Sequence, residues 1–157
     1  MKFVSEDIID QVVEALQENN NYETEIDALR VTQPTVLAYL LSENFEVLTV
    51  QEKEYLLYLT LVIMNAAQHV NPELKAVSQQ QLGEAEEENY TVMSASKEKR
   101  FRDKLTVFFT DYPQEDLLAF AEDALVIDDE DTETFQVTKE GREPIFLALK
   151  SIIDVLE

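Results

Sequence analysis

The sequence predicts an all-α fold, in which about six or seven helices form one compact bundle. The composition favours helices, because hydrophobic residues fill 45% of the 157 positions while Gly occurs twice and Pro four times. Apolar residues also recur every three or four positions in most segments, which is the spacing of one helix face. Because a domain usually contains roughly 100 to 200 residues, we expect residues 1–157 to form a single helical domain.

The first half of the chain predicts three helices. Ser5 can cap the first helix, and Pro34 suits the first position of the second. The polar residues between these two helices predict a connector with at most a short turn. Thr49 followed by Glu52 has the form of a capping box, which opens the third helix. Residues 55–64 of that helix are apolar nearly all round, so we expect neighbouring helices to cover it on several sides.

In the middle of the chain, the sequence pattern predicts a short helix, a polar linker and two further helices. Pro72 predicts the start of a short helix that finishes near Gly83. The polar residues 84–96 predict a loop or weak helix that acts as a mobile linker. Ser96 can cap the next helix, and Pro113 begins another.

The last helix follows an acidic loop at residues 128–134. Its start is predicted between Thr138 and Pro144, because Gly and Pro are tolerated near a helix start but cost about 1 and 3 kcal/mol in a helix interior. Apolar residues then recur on one face as far as Leu156.

Two parts of the chain resemble each other, which suggests a duplicated helical unit. Residues 48–65 align without a gap with residues 137–154, at a constant offset of 89. Upstream of them, residues 37–39 match residues 118–120 at an offset of 81. The alternative is that any two amphipathic helices of similar period align this well by chance.

The duplication predicts two three-helix units, residues 5–70 and 97–157, joined by a linker at residues 71–96. On this alignment Ile8 in the first helix corresponds to Phe101. We expect the units to pack about a pseudo-twofold axis. The groove between them is the first place to look for a ligand.

The charge of the chain limits its partners. The net charge is −21, from 33 acidic and 12 basic residues. A field of this sign repels nucleic acids and anionic lipid surfaces and attracts basic proteins, so we expect a protein partner, with no nucleic acid and no membrane. The chain has no cysteine, which excludes thiolate metal sites and thiol nucleophiles. It lacks the apolar stretch of a signal peptide or a membrane span, so we expect a cytoplasmic protein.

No residue pattern predicts a catalytic residue, a metal site or a cofactor. His69 is the only histidine, and it lacks the glutamate three positions earlier that a helical di-metal site requires. Glutamates three positions apart could hold Mg²⁺, as in all-helical nucleotide pyrophosphohydrolases, but a chain with 33 acids contains such pairs by chance. The pairs are Glu43 with Glu46, Glu84 with Glu87, and Glu140 with Glu143.

An acidic stretch in the last third of the chain has part of a calcium-loop pattern. Four acids occupy ligand positions, but Thr134 stands where the sharp turn of an EF-hand needs Gly. Weak calcium binding is one interpretation, but composition favours a solvated acidic loop. The four acids are Asp129, Asp131, Glu133 and Glu140.

One segment is basic, because five of the twelve basic residues lie within residues 97–104. On a helix that begins at Ser96, three of these bases share one ridge beside an apolar stripe. This ridge could contact an acidic or phosphate-bearing partner through charge and apolar surface together. The favoured alternative is that it pairs with carboxylates of the same molecule or of a second copy. Its predicted partner-binding residues are Lys97, Arg100, Phe101 and Lys104.

Together these features predict a non-catalytic, acidic, helical module for protein–protein interaction, with a homodimer as one form of that interaction. Two alternatives remain open. The first is a Mg²⁺-dependent nucleotide phosphohydrolase that uses paired glutamates. The second is an acidic mimic of nucleic acid, which inhibits a DNA-binding protein by occupying its basic groove.

Overall fold

Helices form the fold in the computed structural model, which describes residues 1–18, 22–126 and 137–156. Within these ranges there are eight α-helices, one 3₁₀ turn and no strand, so the predicted all-α class is confirmed. The predicted acidic loop at residues 128–134 lies outside the described residues. The α-helices are α1 Glu6–Glu18, α2 Glu23–Thr32, α3 Pro34–Leu40, α4 Val50–Val70, α5 Gln79–Ala95, α6 Phe101–Phe109, α7 Glu115–Leu125 and α8 Lys139–Leu156, and the 3₁₀ turn is Glu43–Phe45.

Two long helices, α4 and α8, form the centre of the fold. Helix α4 contacts α1, α2, α3 and α8, as its apolar sequence predicts, and residues 59–64 are all buried. Helix α8 contacts α4, α5 and α7, and every side chain from residue 145 to residue 153 is buried. The start of α8 at Lys139 agrees with the predicted interval.

Helix α5 differs from the prediction. The prediction of a helix from Pro72 to Gly83, followed by a loop or weak helix, is wrong. One continuous helix runs from Gln79 to Ala95. Its start is fixed by a capping box in which Ser78 and Gln81 satisfy each other's backbone N–H groups. Gly83 does not end the helix; it is an exposed helical residue with open space around its Cα atom.

Two further boundaries differ from the prediction. Helix α2 replaces most of the predicted polar connector, because Leu29 is buried and Ile26 packs against the core. Helix α6 begins at Phe101 instead of just after Ser96. No apolar residue between Ala95 and Phe101 could anchor an earlier helical turn in the core.

Two buried glutamines hold extended segments of the chain in the same way. The side chain of Gln33 donates to the carbonyl of Lys75 at 2.9 Å and accepts from the backbone N–H of Val77 at 2.8 Å. The side chain of Gln114 donates to the carbonyl of Lys2 at 3.1 Å and accepts from the N–H of Val4 at 3.0 Å. Each glutamine is also the N-cap residue of its helix, α3 or α7.

A single carboxylate, Glu52, caps both central helices. One oxygen accepts from the backbone N–H of Thr49 at 2.9 Å, which completes the predicted capping box of α4. The other oxygen accepts from the backbone N–H and the hydroxyl of Thr138, each at 2.9 Å, just before α8. The side chain of Thr138 in turn accepts from the N–H of Gly141 at 3.2 Å. Glu52 is 1% exposed.

Gly141 makes this arrangement possible. A Cβ atom at position 141 would lie 2.1 Å from a carboxylate oxygen of Glu52, well inside van der Waals contact. We expect Gly141→Ala to lower the free energy of unfolding by about 2 kcal/mol, because the carboxylate must move off its hydrogen bonds. Urea denaturation followed by circular dichroism measures the change. The control is Gly83→Ala, which should be neutral or slightly stabilising because that glycine is helical and exposed. An equal loss in both variants would contradict the proposed role of Gly141.

The capping carboxylate also predicts a pH dependence of stability. Burial acts to raise the pKa of Glu52, but the hydrogen bonds from Thr49 and Thr138 outweigh it and hold the pKa below its ordinary value. The stabilising contribution is therefore complete above the unfolded-state pKa, which is about 4.3 for Glu, and is lost as the pH falls through the lower folded-state pKa.

We expect Glu52→Gln to destabilise the protein most at pH 7, with a smaller difference from the unsubstituted chain in the acid range. Stability curves against pH for both proteins measure this difference. The control Glu46→Gln changes an exposed carboxylate and should show little effect at any pH. A destabilisation by Glu52→Gln that does not change with pH would show that the charge of Glu52 is irrelevant.

Candidate functional site

The predicted basic ridge is divided in the structure. Because α6 begins at Phe101, Lys97 and Arg100 precede the helix and do not share its face with Lys104. The ammonium group of Lys104 forms a 2.6 Å ion pair with Glu143 of α8. The face predicted from the sequence is therefore wrong in its geometry. The partner-binding role of these residues stays a prediction.

The acidic candidates for metal binding are placed as follows. Glu43 with Glu46 lies at the 3₁₀ turn, Glu84 with Glu87 on α5, and Glu140 with Glu143 on α8. In the described ranges, no group of three or more His, Cys, Asp or Glu is arranged to hold a metal ion. Three acids of the calcium-loop pattern, at positions 129, 131 and 133, lie outside those ranges. His69 is exposed near the end of α4.

A cleft of about 460 Å³ opens between α3, the 3₁₀ turn, α5 and α8. We call it the acidic cleft. Its walls bring together residues that are far apart in the sequence, because α5 packs along α8 while the 3₁₀ turn follows α3. Among its lining residues are Tyr39, Phe45, Glu86, Glu87, Tyr90, Glu143 and Leu147.

One carboxylate of the acidic cleft is held in place by a tyrosine. The hydroxyl of Tyr39 donates a hydrogen bond to Glu86, across the gap between α3 and α5. Burial, the hydrogen bond and the charge of Glu86 together raise the pKa of Tyr39, so its hydroxyl keeps the proton. The ring of Tyr39 also packs edge-to-face on Phe45, with the centroids 5.1 Å apart. Glu86 is therefore a fixed acceptor with restricted motion.

The acidic cleft combines negative charge with an apolar floor. Glu86, Glu87 and Glu143 supply three carboxylates, of which Glu143 is paired with Lys104. Phe45 and Leu147 are buried and form part of the floor. Such a site can bind a cation that has an apolar stem, since both parts of the ligand find a matching surface.

Several exposed apolar residues are close in sequence to residues that line the acidic cleft. Leu41, Val47 and Val50 are 77%, 61% and 72% exposed; Leu41 and Val47 belong to the connection that also carries Phe45, and Val50 begins α4. Tyr90, on the opposite wall, is 63% exposed. Large apolar side chains this exposed are typical of contact surfaces when they occur close together.

A buried polar network fixes α5, and with it one wall of the acidic cleft. The ammonium group of Lys150 is 2.8 Å from both carboxylate oxygens of Asp154, 3.2 Å from the side-chain carbonyl of Asn89, and 4.5 Å from the ring centroid of Tyr112. The amide of Asn89 donates to Asp154 and to Ser151. Polar groups that are buried at a helix contact hold it in one register when each has a partner.

The sequence did not single out Tyr39, Glu86 or Tyr90. Glu86 and Tyr90 are four positions apart, which would have placed them on one face of a helix if α5 had been recognised. No comparable pattern predicts Tyr39, because its partner Glu86 is 47 positions away in the chain.

Comparisons with protein-family models, with curated proteins and with solved structures gave no match. Among the described helices, none combines the length and the apolar character that crossing a bilayer requires.

The polar network predicts a large effect of one lysine on stability. We expect Lys150→Ala to lower the free energy of unfolding by about 3 kcal/mol, because Asp154 then lacks the cation that balances its charge and the side-chain carbonyl of Asn89 loses its donor. Denaturation by urea measures the loss, and hydrogen exchange should show faster opening of α5. The control Lys139→Ala removes an exposed lysine of the same helix and should change stability little. Equal stability of the two variants would contradict the structural role of the network.

Proposed function

We propose that the chain is a non-catalytic interaction module that binds a basic, amphipathic segment of a partner protein in its acidic cleft. The observation that carries the proposal is the combination of three carboxylates with an apolar floor, in which Tyr39 fixes one carboxylate. The net charge of −21 supports it, because a field of this size speeds the encounter with a basic partner. The exposed residues Leu41 and Val47, which flank the 3₁₀ turn in sequence, offer further apolar surface for such a segment.

Lys104 competes with the proposed partner for one carboxylate of the acidic cleft. It already pairs with Glu143, so a basic group of the partner must displace it to reach that carboxylate. The exposed bases Lys97 and Arg100 lie a few residues before it and can contact acidic residues of the same partner. If the partner is a second copy, this basic segment of one molecule would lie in the acidic cleft of the other. We also propose a cytoplasmic location, as expected from the sequence.

The proposal includes a duplicated architecture of two four-helix units, α1–α4 and α5–α8. Lys2-Phe3-Val4-Ser5 before α1 matches Lys75-Ala76-Val77-Ser78 before α5. Gln114 and Gln33 hold these two segments by the same pair of hydrogen bonds, at the offset of 81 seen in the sequence. Helix α1 packs on α4 as α5 packs on α8. This division of the chain differs from the predicted units, residues 5–70 and 97–157. It assigns α5 to the second unit and therefore leaves no long linker between the units.

Hydrolysis that depends on Mg²⁺ is the second candidate function, and one observation favours it. Glu87 and Glu143, from two of the predicted glutamate pairs, line the same cleft. A rise in melting temperature with Mg²⁺, reversed by a chelator, would support this alternative, whereas the interaction module needs no metal.

The main test compares two triple variants that have the same net charge. In Glu86→Gln/Glu87→Gln/Glu143→Gln the carboxylates of the acidic cleft are neutral. In Glu14→Gln/Glu73→Gln/Glu115→Gln, three exposed carboxylates outside the acidic cleft are made neutral. The probe is a fluorescent synthetic peptide of Lys and Leu, patterned as an amphipathic helix. Binding is measured by fluorescence anisotropy at several salt concentrations.

We expect the cleft variant to bind the probe about tenfold more weakly than the unsubstituted chain, because each ion pair at a partly exposed site contributes roughly 0.5 kcal/mol. The control variant should bind nearly as well as the unsubstituted chain. Equal weakening of both variants would contradict the acidic cleft as the binding site. That result would favour the alternative of a nucleic-acid mimic, which depends only on total charge.

A further inference from the structure

A second pocket, of about 430 Å³, lies at the surface between α1, the start of α2 and the first half of α4. Three of its lining residues are tyrosines, so we call it the tyrosine pocket. Among the residues that the structure describes, none lines both this pocket and the acidic cleft. Its lining residues are Gln17, Tyr22, Gln51, Glu54, Tyr55 and Tyr58.

The three rings of the tyrosine pocket form one continuous aromatic surface. The centroids of Tyr22 and Tyr58 are 5.9 Å apart, with the rings tilted by 55°. Those of Tyr55 and Tyr58 are 6.4 Å apart, with the rings tilted by 15°. All three residues are half-buried, so part of each side chain remains accessible from solvent.

Hydrogen bonds hold two of the rings in place. The hydroxyl of Tyr55 donates to the carbonyl of Ala124 in α7 at 2.9 Å, and Tyr58 has a hydrogen bond with Gln17 of α1. Burial raises the pKa of both tyrosines, which keeps them neutral at physiological pH. The aromatic surface therefore needs little rearrangement to bind a ligand, which lowers the entropy cost of binding.

The composition of the tyrosine pocket favours a cation. The face of a neutral tyrosine ring carries partial negative charge and attracts cations within about 6 Å. Glu54 adds one carboxylate, and among the described lining residues none is Lys, Arg or His. An anionic ligand would meet the charge of Glu54 without a cation among these residues to offset it.

The choice between cations follows from hydration. A lysine ammonium group is strongly hydrated and would lose that water for a single carboxylate. A quaternary ammonium group spreads its charge over apolar methyl groups, which contact aromatic faces at little desolvation cost. We propose that the tyrosine pocket binds a quaternary ammonium group, whether this is carried by a trimethylated lysine of a protein or by a small free cation.

This site goes beyond the proposed function, because its ligand differs from that of the acidic cleft. In the proposed duplication, the two sites occupy equivalent places in the two units. Glu54, Tyr55 and Tyr58 correspond to Glu143, Pro144 and Leu147 at the offset of 89. Aromatic rings in one unit thus replace aliphatic residues in the other, which changes the preferred cation from a hydrated to a methylated one.

The first experiment compares choline with its neutral isostere, 3,3-dimethyl-1-butanol, by NMR titration of the tyrosine ring signals. We expect choline to bind saturably and about tenfold more tightly than the isostere, since only choline gains the cation–π attraction. Equal affinity would reduce the site to a plain apolar pocket and overturn the proposal. Failure of choline to shift the signals of Tyr22, Tyr55 and Tyr58 would overturn it as well.

A pair of peptides distinguishes the two sources of the ligand. One carries a trimethylated lysine and the other the same lysine unmodified. Tighter binding of the trimethylated peptide than of choline indicates a methylated protein, and tighter binding of choline indicates a small cation. A preference for the unmodified lysine would overturn the proposal.

Substitution of Tyr58 separates the aromatic contribution from apolar contact. Tyr58→Leu keeps an apolar side chain and should weaken choline binding about tenfold, whereas Tyr58→Phe should change it less than threefold. The control Tyr90→Leu alters the acidic cleft and should leave choline binding unchanged. Equal choline binding by Tyr58→Leu and Tyr58→Phe would contradict a role for the ring. Neither Tyr58 variant should affect binding of the Lys and Leu probe, so this proposal and the proposed function can fail separately.

Discussion

The contact of Glu52 with the starts of α4 and α8 determines where the two central helices meet. Its carboxylate satisfies the backbone N–H groups of both Thr49 and Thr138, so the helices must begin side by side. Burying a charged group is favourable only when such partners are present. The outer helices α1, α5 and α7 pack on this central pair, and the acidic cleft lies where α5 meets α8. The position of the cleft therefore depends indirectly on one buried carboxylate.

Much of the helical content could be predicted from the sequence, because apolar spacing and capping residues are local properties. The capping box at Thr49 and the covered middle of α4 are examples. Helix α5 could not be predicted, because its only buried side chains are Leu82, Asn89 and Met93, which form no continuous apolar stripe. Gly83 also indicated the end of a helix at that position. The acidic cleft was not predicted either, because contacts between residues more than 40 positions apart create it. The second role of Glu52, at Thr138, is likewise a long-range contact without a local pattern.

The two candidate sites illustrate how one framework can present different chemistry. In the proposed duplication, the helices that frame both sites keep their packing, and Glu54 corresponds to Glu143, while Tyr55 and Tyr58 are replaced by Pro144 and Leu147. Three carboxylates in one site and three tyrosine rings in the other attract positive groups for different physical reasons. The large excess of acidic residues over basic ones favours both sites, since it makes the whole surface attractive to cations.

The glutamine contacts have a consequence for how the polypeptide reaches its native state. Val4 is held by a residue 110 positions later in the chain, and Val77 by one 44 positions earlier. In the proposed duplication, the leading segment of each unit is thus held by a glutamine of the other unit. On a ribosome, the backbone N–H of Val4 lacks its native acceptor until residue 114 has emerged, so the contacts that hold this segment are completed late. Exchange of these leading segments between two nascent molecules would give an intertwined dimer with the same hydrogen bonds.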